Sequence, residues 1–497
     1  MKIGKVWLIG AGPSDFELLT IKGKKIIEKA DIILYDRLVS HSIINLAKDE
    51  AMLIDVGKYA NNHTISQEEI NNLLFKYALD GKNVVRLKGG DPFLFGRGGE
   101  ELELLAKNNI PFEVVSGITS AISVPAYNGI PVTHRDFASS LHIITGHTKY
   151  DNCNIDFKSL VKLNGTIIFL MGLSSLNFIC NGLINAGMDK NMPICILEKG
   201  TTAKQRNIKG SLSTIYEKSI KEQVKTPAII IVGEVCNLSE KFEWKKYLPL
   251  AYKRVLVTRP KDITSNFCNM LRDSGAEVID LPTIKTLPIQ NNEIKEVFNN
   301  LDYDYIVFTS PKGVEQFFYN MKIYKKDIRD LFNKKIAAVG SATKKVIEEK
   351  GIFIDIMPKS YSGRELGNEL LKHIQNNDKI LLARAKDGSQ DILDILKCKN
   401  IVVKDLALYE TKYEEANFIN YTFEYDDIVT FTSASTVLGF INSVKNYNLD
   451  YSKVKAVCIG KQTEKEAKKY NFKTFVAKKA TLESLLEKVI EVAKKED

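Results

Sequence analysis

The sequence predicts an α/β protein built from several units. Two observations carry that expectation. Short apolar runs recur along all 497 residues, and most run into turns rich in glycine, serine or threonine that open a helical pattern. The chain is also too long for one ordinary domain, and its 44% hydrophobic content is that of a protein with a large core.

Composition excludes several classes. The longest apolar runs, Thr166–Leu173 and Ala228–Val232, are far too short to span a bilayer, so no membrane association is expected. The N-terminus enters a strand at once and does not read as a signal peptide. The seven cysteines are scattered without a CxxC pair, and the six histidines show no ligand spacing. Neither a structural zinc, nor any other metal, nor a disulfide framework is expected, and the location is expected to be cytoplasmic. The net charge is +9, but no Lys/Arg-rich run is interleaved with aromatics, so nucleic acid is disfavoured as a partner. The surplus cations suit an acidic small molecule or a solvated lysine-rich surface.

The stretch Arg86–Glu100, RLKGGDPFLFGRGGE, organises the first half. An apolar strand runs into Gly89–Gly90, then Asp91–Pro92, then a second glycine cluster around Arg97. Two glycine clusters between a strand and a helix N-terminus make a loop to which a ligand can come close. No Walker A string occurs, and Arg97 with the Asp-Pro pair breaks a dinucleotide fingerprint. The first turn, Gly10-Ala-Gly-Pro-Ser-Asp15, begins like a Rossmann loop but has Asp15 where the third glycine belongs. Asp36 at the end of the next strand therefore only imitates a ribose-binding acid.

These strings closely resemble the tetrapyrrole methyltransferase family, in particular its uroporphyrinogen-III C-methyltransferases. RLKGGDP and FGRGGEE stand ungapped, with YDRLVS at 35–40 and GIPVTHRD at 129–136. The first loop, GAGPSDFELLT, has Ser14 and Phe16 where the family usually has glycine and proline. The resemblance runs from residue 3 to about 236. It implies a two-lobed fold over 1–238, with lobes of about 1–135 and 136–238. It further implies S-adenosylmethionine as methyl donor, held by Pro13, Gly89, Gly90, Asp91, Leu94, Thr119, Ser120, Met171 and Gly200. Asp36 becomes the proton acceptor and Lys58 the proton donor, and a homodimer formed through this half is implied. A carboxylate at a strand end suits the base, because methylating a pyrrole carbon leaves a cation that must lose a proton.

Residues 239–252 are charged and end near Pro249, and are expected to connect independent units. Strand–helix alternation then restarts over 253–497. Two turns repeat, IVFTSPKGVEQF with IVTFTSASTVLGF, and so do AAVGSATKKVIEEKG and AVCIGKQTEKEAKKY. This half therefore contains two similar α/β units. Hydroxyl residues at the turns point either to simple N-caps or to helix ends that receive anions.

The pieces VLVTRP, FTSPKGV, AVGSAT, LYET and FTSAS resemble uroporphyrinogen-III synthase. That resemblance implies a two-domain α/β fold with about 288–412 inserted. It makes Tyr409 the acid that helps a hydroxyl leave hydroxymethylbilane. Thr309, Ser310, Thr432 and Ser433, with Arg259, Gly340 and Arg384, become the substrate-binding set. Taken together, the two resemblances imply a bifunctional enzyme acting on small-molecule tetrapyrroles. It would cyclise hydroxymethylbilane to uroporphyrinogen III and methylate that product twice to precorrin-2, for cobalamin or sirohaem. Two other readings remain open here: a later-step precorrin methyltransferase fused to an inactive synthase-like module, and a non-catalytic tetrapyrrole carrier.

Overall fold

Among the described residues, four five-stranded sheets form the frame of the protein. The computed structural model describes residues 3–57, 65–146, 155–260, 265–397, 401–414, 422–423 and 426–494. The chain divides into two compact units, Met1–Val255 with Cys268–Asp280, and Leu256–Phe267 with Leu281–Asp497.

The first sheet comprises β1 (Lys5–Gly10), β2 (Ile32–Tyr35), β3 (Met52–Asp55), β4 (Asn83–Lys88) and β5 (Phe112–Val115), all parallel in the order β3-β2-β4-β1-β5. Successive strand residues face opposite sides. Ile9, Ile33, Val85 and Leu87 accordingly join one core, while Val6, Leu8, Leu34 and Val84 join the other. Burial on both faces is why these strands read as continuous apolar runs.

The second sheet holds β6 (Leu141–Thr145), β7 (Thr166–Leu170), β8 (Pro193–Glu198), β9 (Arg206–Ser211) and β10 (Ala228–Val232). Its order is β6-β7-β10-β8-β9, and only β6 and β7 run parallel. The segment 239–252 is packed, contrary to its reading as a plain connector. Trp244 donates from Nε1 to the Ala126 carbonyl at 3.0 Å, and Lys245 and Leu250 are buried.

The third sheet has the order β12-β11-β18-β19-β20, from β11 (Arg254–Val257), β12 (Glu277–Asp280), β18 (Ile428–Phe431), β19 (Lys455–Cys458) and β20 (Lys473–Val476). The fourth is formed by β13 (Ile284–Pro288), β14 (Tyr305–Phe308), β15 (Lys335–Ala338), β16 (Lys379–Ala385) and β17 (Val402–Tyr413), in the order β13-β17-β16-β14-β15. The repeated strings become repeated structure. β14 leads to the helix Pro311–Ile323 as β18 leads to Ala434–Asn446, and β15 leads to Ser341–Glu348 as β19 leads to Lys461–Lys468.

β9, β13 and β20 carry no long apolar run, and β3 carries only the three-residue run Met52–Ile54. All four lie at sheet edges, where one side of the ladder is unpaired and burial is partial. Among the described residues no helix is long and apolar enough to cross a membrane.

Ser14 stands where the resembling family has glycine, and its φ is +96°. Non-glycine residues held at positive φ cost on the order of 1–3 kcal/mol. Ser14→Gly should therefore raise unfolding stability by about 1 kcal/mol, since glycine's larger unfolded-state entropy offsets part of the relief. Denaturant titration checks this, and an unchanged or lower stability would show that the loop carries no strain.

Candidate functional site

In the first unit, loops meet at the carboxyl ends of the parallel strands, the usual ligand position for such sheets. Gly10, Gly90 and Gly117 come from three different loops. A Cβ on Gly10 would lie 2.5 Å from Gly117 Cα and Gly90 O, and one on Gly117 would lie 2.2 Å from Gly90 O. Only glycine allows that approach. Gly12 and Gly90 exchange backbone hydrogen bonds of 3.2 and 2.8 Å. Asp91 joins the loops further, accepting from Phe93 N at 2.8 Å and Gly117 N at 3.0 Å.

The same loops carry the residues expected to hold S-adenosylmethionine. Gly90 has φ +68°, and a Cβ there would meet nothing within 4 Å, so open space lies beside the bridge. Pro13 and Leu94 are half-buried, Thr119 caps the helix Ser120–Tyr127, and Gly89 approaches Leu38. The second lobe closes over these loops. Gly200 packs so tightly on Val124 that a Cβ would overlap it at 2.2 Å. Thr201 donates from its hydroxyl to the Pro13 carbonyl, while Gln205 accepts from Thr201 N at 2.7 Å and donates to the Tyr127 carbonyl at 2.9 Å. Met171 is not a core residue: it is 52% exposed with φ +55°. Backbone donors, short hydroxyls, an open glycine cradle and an exposed thioether fit a nucleoside-containing methyl donor. Among the described residues no group of three or more His, Cys, Asp or Glu is placed to hold a metal ion.

Asp36 follows β2, and its backbone N–H donates to Leu87 O at 3.2 Å. Its carboxylate accepts from Arg86 Nη2 at 2.6 Å and remains 31% exposed. Behind it lies a buried charge cluster that the motif reading missed. Arg86 and Lys88 share one face of β4, and both reach Glu101 of the helix Gly98–Lys107, at 3.1 and 2.7 Å. Burial, then the neighbouring Arg86, pushes the Lys88 ammonium below its usual range, and Glu101 opposes that shift. The available signal was the alternation Val84-Val85-Arg86-Leu87-Lys88, which puts two cations on an inward face and so requires a buried anion. Lys58 lies outside the described residues.

In the second unit Tyr409, on β17, is buried, and its hydroxyl shares a 2.9 Å hydrogen bond with Ser310 Oγ. Burial raises the phenol's pKa, while the Ser310 bond and nearby Lys312 lower it. Ser310 also caps the helix Pro311–Ile323 by accepting from Gly313 N at 3.0 Å, and Ser433 caps Ala434–Asn446 in the same way from Thr436 N at 3.2 Å. Thr309 and Thr432 precede these caps and are half-buried, as is Arg259 after β11, while Gly340 is the N-cap of Ser341–Glu348.

Arg384 departs from its expected substrate-binding role. It is 1% exposed, grips Asp405 with two bonds of 2.7 and 2.8 Å, and donates its remaining terminal nitrogen to Ser389 O. With its donors so engaged it braces the frame rather than facing a ligand. It adjoins the register shift at Arg384/Ala385 that pairs Ala385 with Tyr409, so the bracing acts next to the candidate acid.

Residues 5–216 match the model for tetrapyrrole (corrin/porphyrin) methylases, and residues 266–487 match that for uroporphyrinogen-III synthase HemD. The chain is 46% identical over 499 residues to a porphyrin biosynthesis protein HemD from Ruminiclostridium josui, covering 99% of each. It is 40% identical over 365 residues to a uroporphyrinogen-III C-methyltransferase from Bacillus subtilis (strain 168), covering 72% of this chain and 74% of that one. A Thermus thermophilus uroporphyrin-III C-methyltransferase solved with S-adenosyl homocysteine is 36% identical, with TM-score 0.41 over 47% of this chain and 93% of its own. The chain therefore belongs to the family of fused tetrapyrrole-biosynthesis proteins in which a tetrapyrrole methylase precedes a uroporphyrinogen-III synthase.

Proposed function

We propose that the chain performs consecutive reactions. The synthase half closes hydroxymethylbilane to uroporphyrinogen III with loss of water, and the methylase half converts that product to precorrin-2 by two methylations. The observation that carries this reading is that the two family models match successive stretches of one polypeptide, 5–216 and 266–487. The macrocycle made by one family is the substrate of the other.

In the cyclisation the C–O bond of the hydroxymethyl group breaks with its electrons on oxygen. Tyr409 supplies the proton with which oxygen leaves as water. A phenol keeps its proton at neutral pH, and burial raises the pKa of this one further. Ser310 is placed to donate to the resulting phenolate, because its own oxygen already accepts from Gly313 N. The pyrrole stabilises the cation, and the protein positions the terminal ring for inverted closure.

S-adenosylmethionine supplies the methyl groups for the second reaction. The residues proposed to hold it are Pro13, Gly89, Gly90, Asp91, Leu94, Thr119, Ser120, Met171 and Gly200. Asp36 accepts the proton that the methylated pyrrole must lose, and Lys58 is assigned the donor role.

Incubating the intact chain with hydroxymethylbilane and S-adenosylmethionine should give a product carrying two added methyl groups by mass analysis. A chain that methylates only an already methylated precorrin would overturn the assignment. Tyr409→Phe should lower cyclisation on the order of 10²-fold or more while methylation of supplied uroporphyrinogen III is kept. Ser310→Ala should lower stability by about 1 kcal/mol through the lost cap, and slow cyclisation as well. A variant that loses stability but cyclises at the normal rate would limit Ser310 to capping.

A further inference from the structure

We propose that Glu101 is a positioning residue for methyl transfer: its buried carboxylate fixes Arg86, and Arg86 in turn holds the Asp36 carboxylate in place. The inference rests on the reading of Asp36 as the proton acceptor and adds the device that aims it.

Glu101 is fully buried in the first turn of its helix. One oxygen, Oε1, gathers three donors: Arg86 Nε at 3.1 Å, Lys88 Nζ at 2.7 Å and Gln67 Nε2 at 3.2 Å. The other oxygen, Oε2, is buried and has no hydrogen-bond partner among the described residues. A buried carboxylate with an unsatisfied oxygen is a poor way to stabilise a fold, and apolar residues of similar volume often do as well or better. Its placement makes sense for the geometry it imposes.

Arg86 is planar and forked, and is itself only 2% exposed. Nε is tied to Glu101, Nη1 donates to Leu87 O at 3.2 Å, and Nη2 reaches Asp36 Oδ1 at 2.6 Å. Fixing two corners of a rigid guanidinium fixes the third. The charge count agrees: two buried cations, Arg86 and Lys88, meet one buried anion, and the half-exposed Asp36 is the second. Gln67 sits at the start of the helix Gln67–Leu79, whose Ser66–Glu69 capping box holds that donor in register. Asn71 of the same helix donates to Glu100 O at 3.0 Å, tying the two helices together beside Glu101.

The test uses the full chain and three variants. Glu101→Asp keeps the charge but withdraws it by one methylene, Glu101→Gln removes the charge, and Asp36→Asn tests the underlying reading. Each is melted, titrated calorimetrically with S-adenosyl homocysteine, and assayed for methyl transfer to uroporphyrinogen III. Glu101→Asp should fold, bind S-adenosyl homocysteine as the parent does, keep KM for uroporphyrinogen III, and lose kcat by on the order of a hundredfold, the usual penalty for a misaimed group. Should Glu101→Gln not fold, Glu101→Asp still decides the matter. A parental kcat in Glu101→Asp, or a loss that follows weakened cofactor binding, overturns the proposal. If Asp36→Asn keeps full turnover, the reading of Asp36 fails instead. If it loses turnover while Glu101→Asp does not, the positioning role alone fails.

Discussion

The first unit depends on backbone meeting backbone at Gly10, Gly90 and Gly117. Three loops, from the ends of β1, β4 and β5, converge where a methyl group on Gly10 or Gly117 would overlap main-chain atoms at 2.2–2.7 Å. This contact sets the floor of the cleft. It lets Gly12 and Gly90 pair as a two-residue bridge, which in turn places Pro13 and Asp91 on either side. Gly10 in GAGP is thus required by packing, whereas Gly90 in RLKGGDP is set apart by its φ of +68°. The second lobe is anchored to the same floor through Thr201 on the Pro13 carbonyl and Gln205 on the Tyr127 carbonyl. Substituting Gly10 or Gly117 would disturb the backbone packing of these loops directly.

The sequence was most legible where strands are buried on both faces. Thr166–Leu170 and Ala228–Val232 read as apolar runs because each run is the strand itself and is buried along nearly all its length. Edge strands such as Arg206–Ser211 escaped notice. Only Ile208 there is buried, so partial burial leaves no run to detect. The candidate sites show the same divide. Loop residues stood out by motif, but the charges behind them did not. Glu100 and Glu101 look alike as acids in a first helical turn. One is exposed and pairs with Arg97, and the other is the buried hub of Arg86 and Lys88. Arg384 errs in the other direction, since an arginine at a strand end reads as a ligand contact until Asp405 is seen to occupy it.

The two halves present polar groups differently. The methylase half relies on irregular loops, with Gly90, Ser14 and Met171 at positive φ. The synthase half repeats one regular device. Ser310 and Ser433 have nearly the same backbone angles, φ −160° with ψ 153° and 165°. Gly340 and Gly460 match each other likewise, in extended geometry. The repeated strings therefore encode the same strand-to-helix joint twice rather than a general compositional bias.

That pairing sorts the helix ends by what they have left to offer. At Ser310 and Ser433 the side-chain oxygen accepts a backbone N–H of its own helix, and the Ser310 hydroxyl is further engaged by Tyr409. At Gly340 and Gly460 no side chain caps the helix, so the first-turn N–H groups keep their capacity to meet an anion. The two glycine joints also differ from each other. A Cβ at Gly340 would press on the Tyr361 ring at 2.8 Å, whereas one at Gly460 would meet nothing within 4 Å. The serine joints fix their helices, and Ser310 also holds the Tyr409 phenol, while the glycine joints leave the first-turn N–H groups without a side-chain cap.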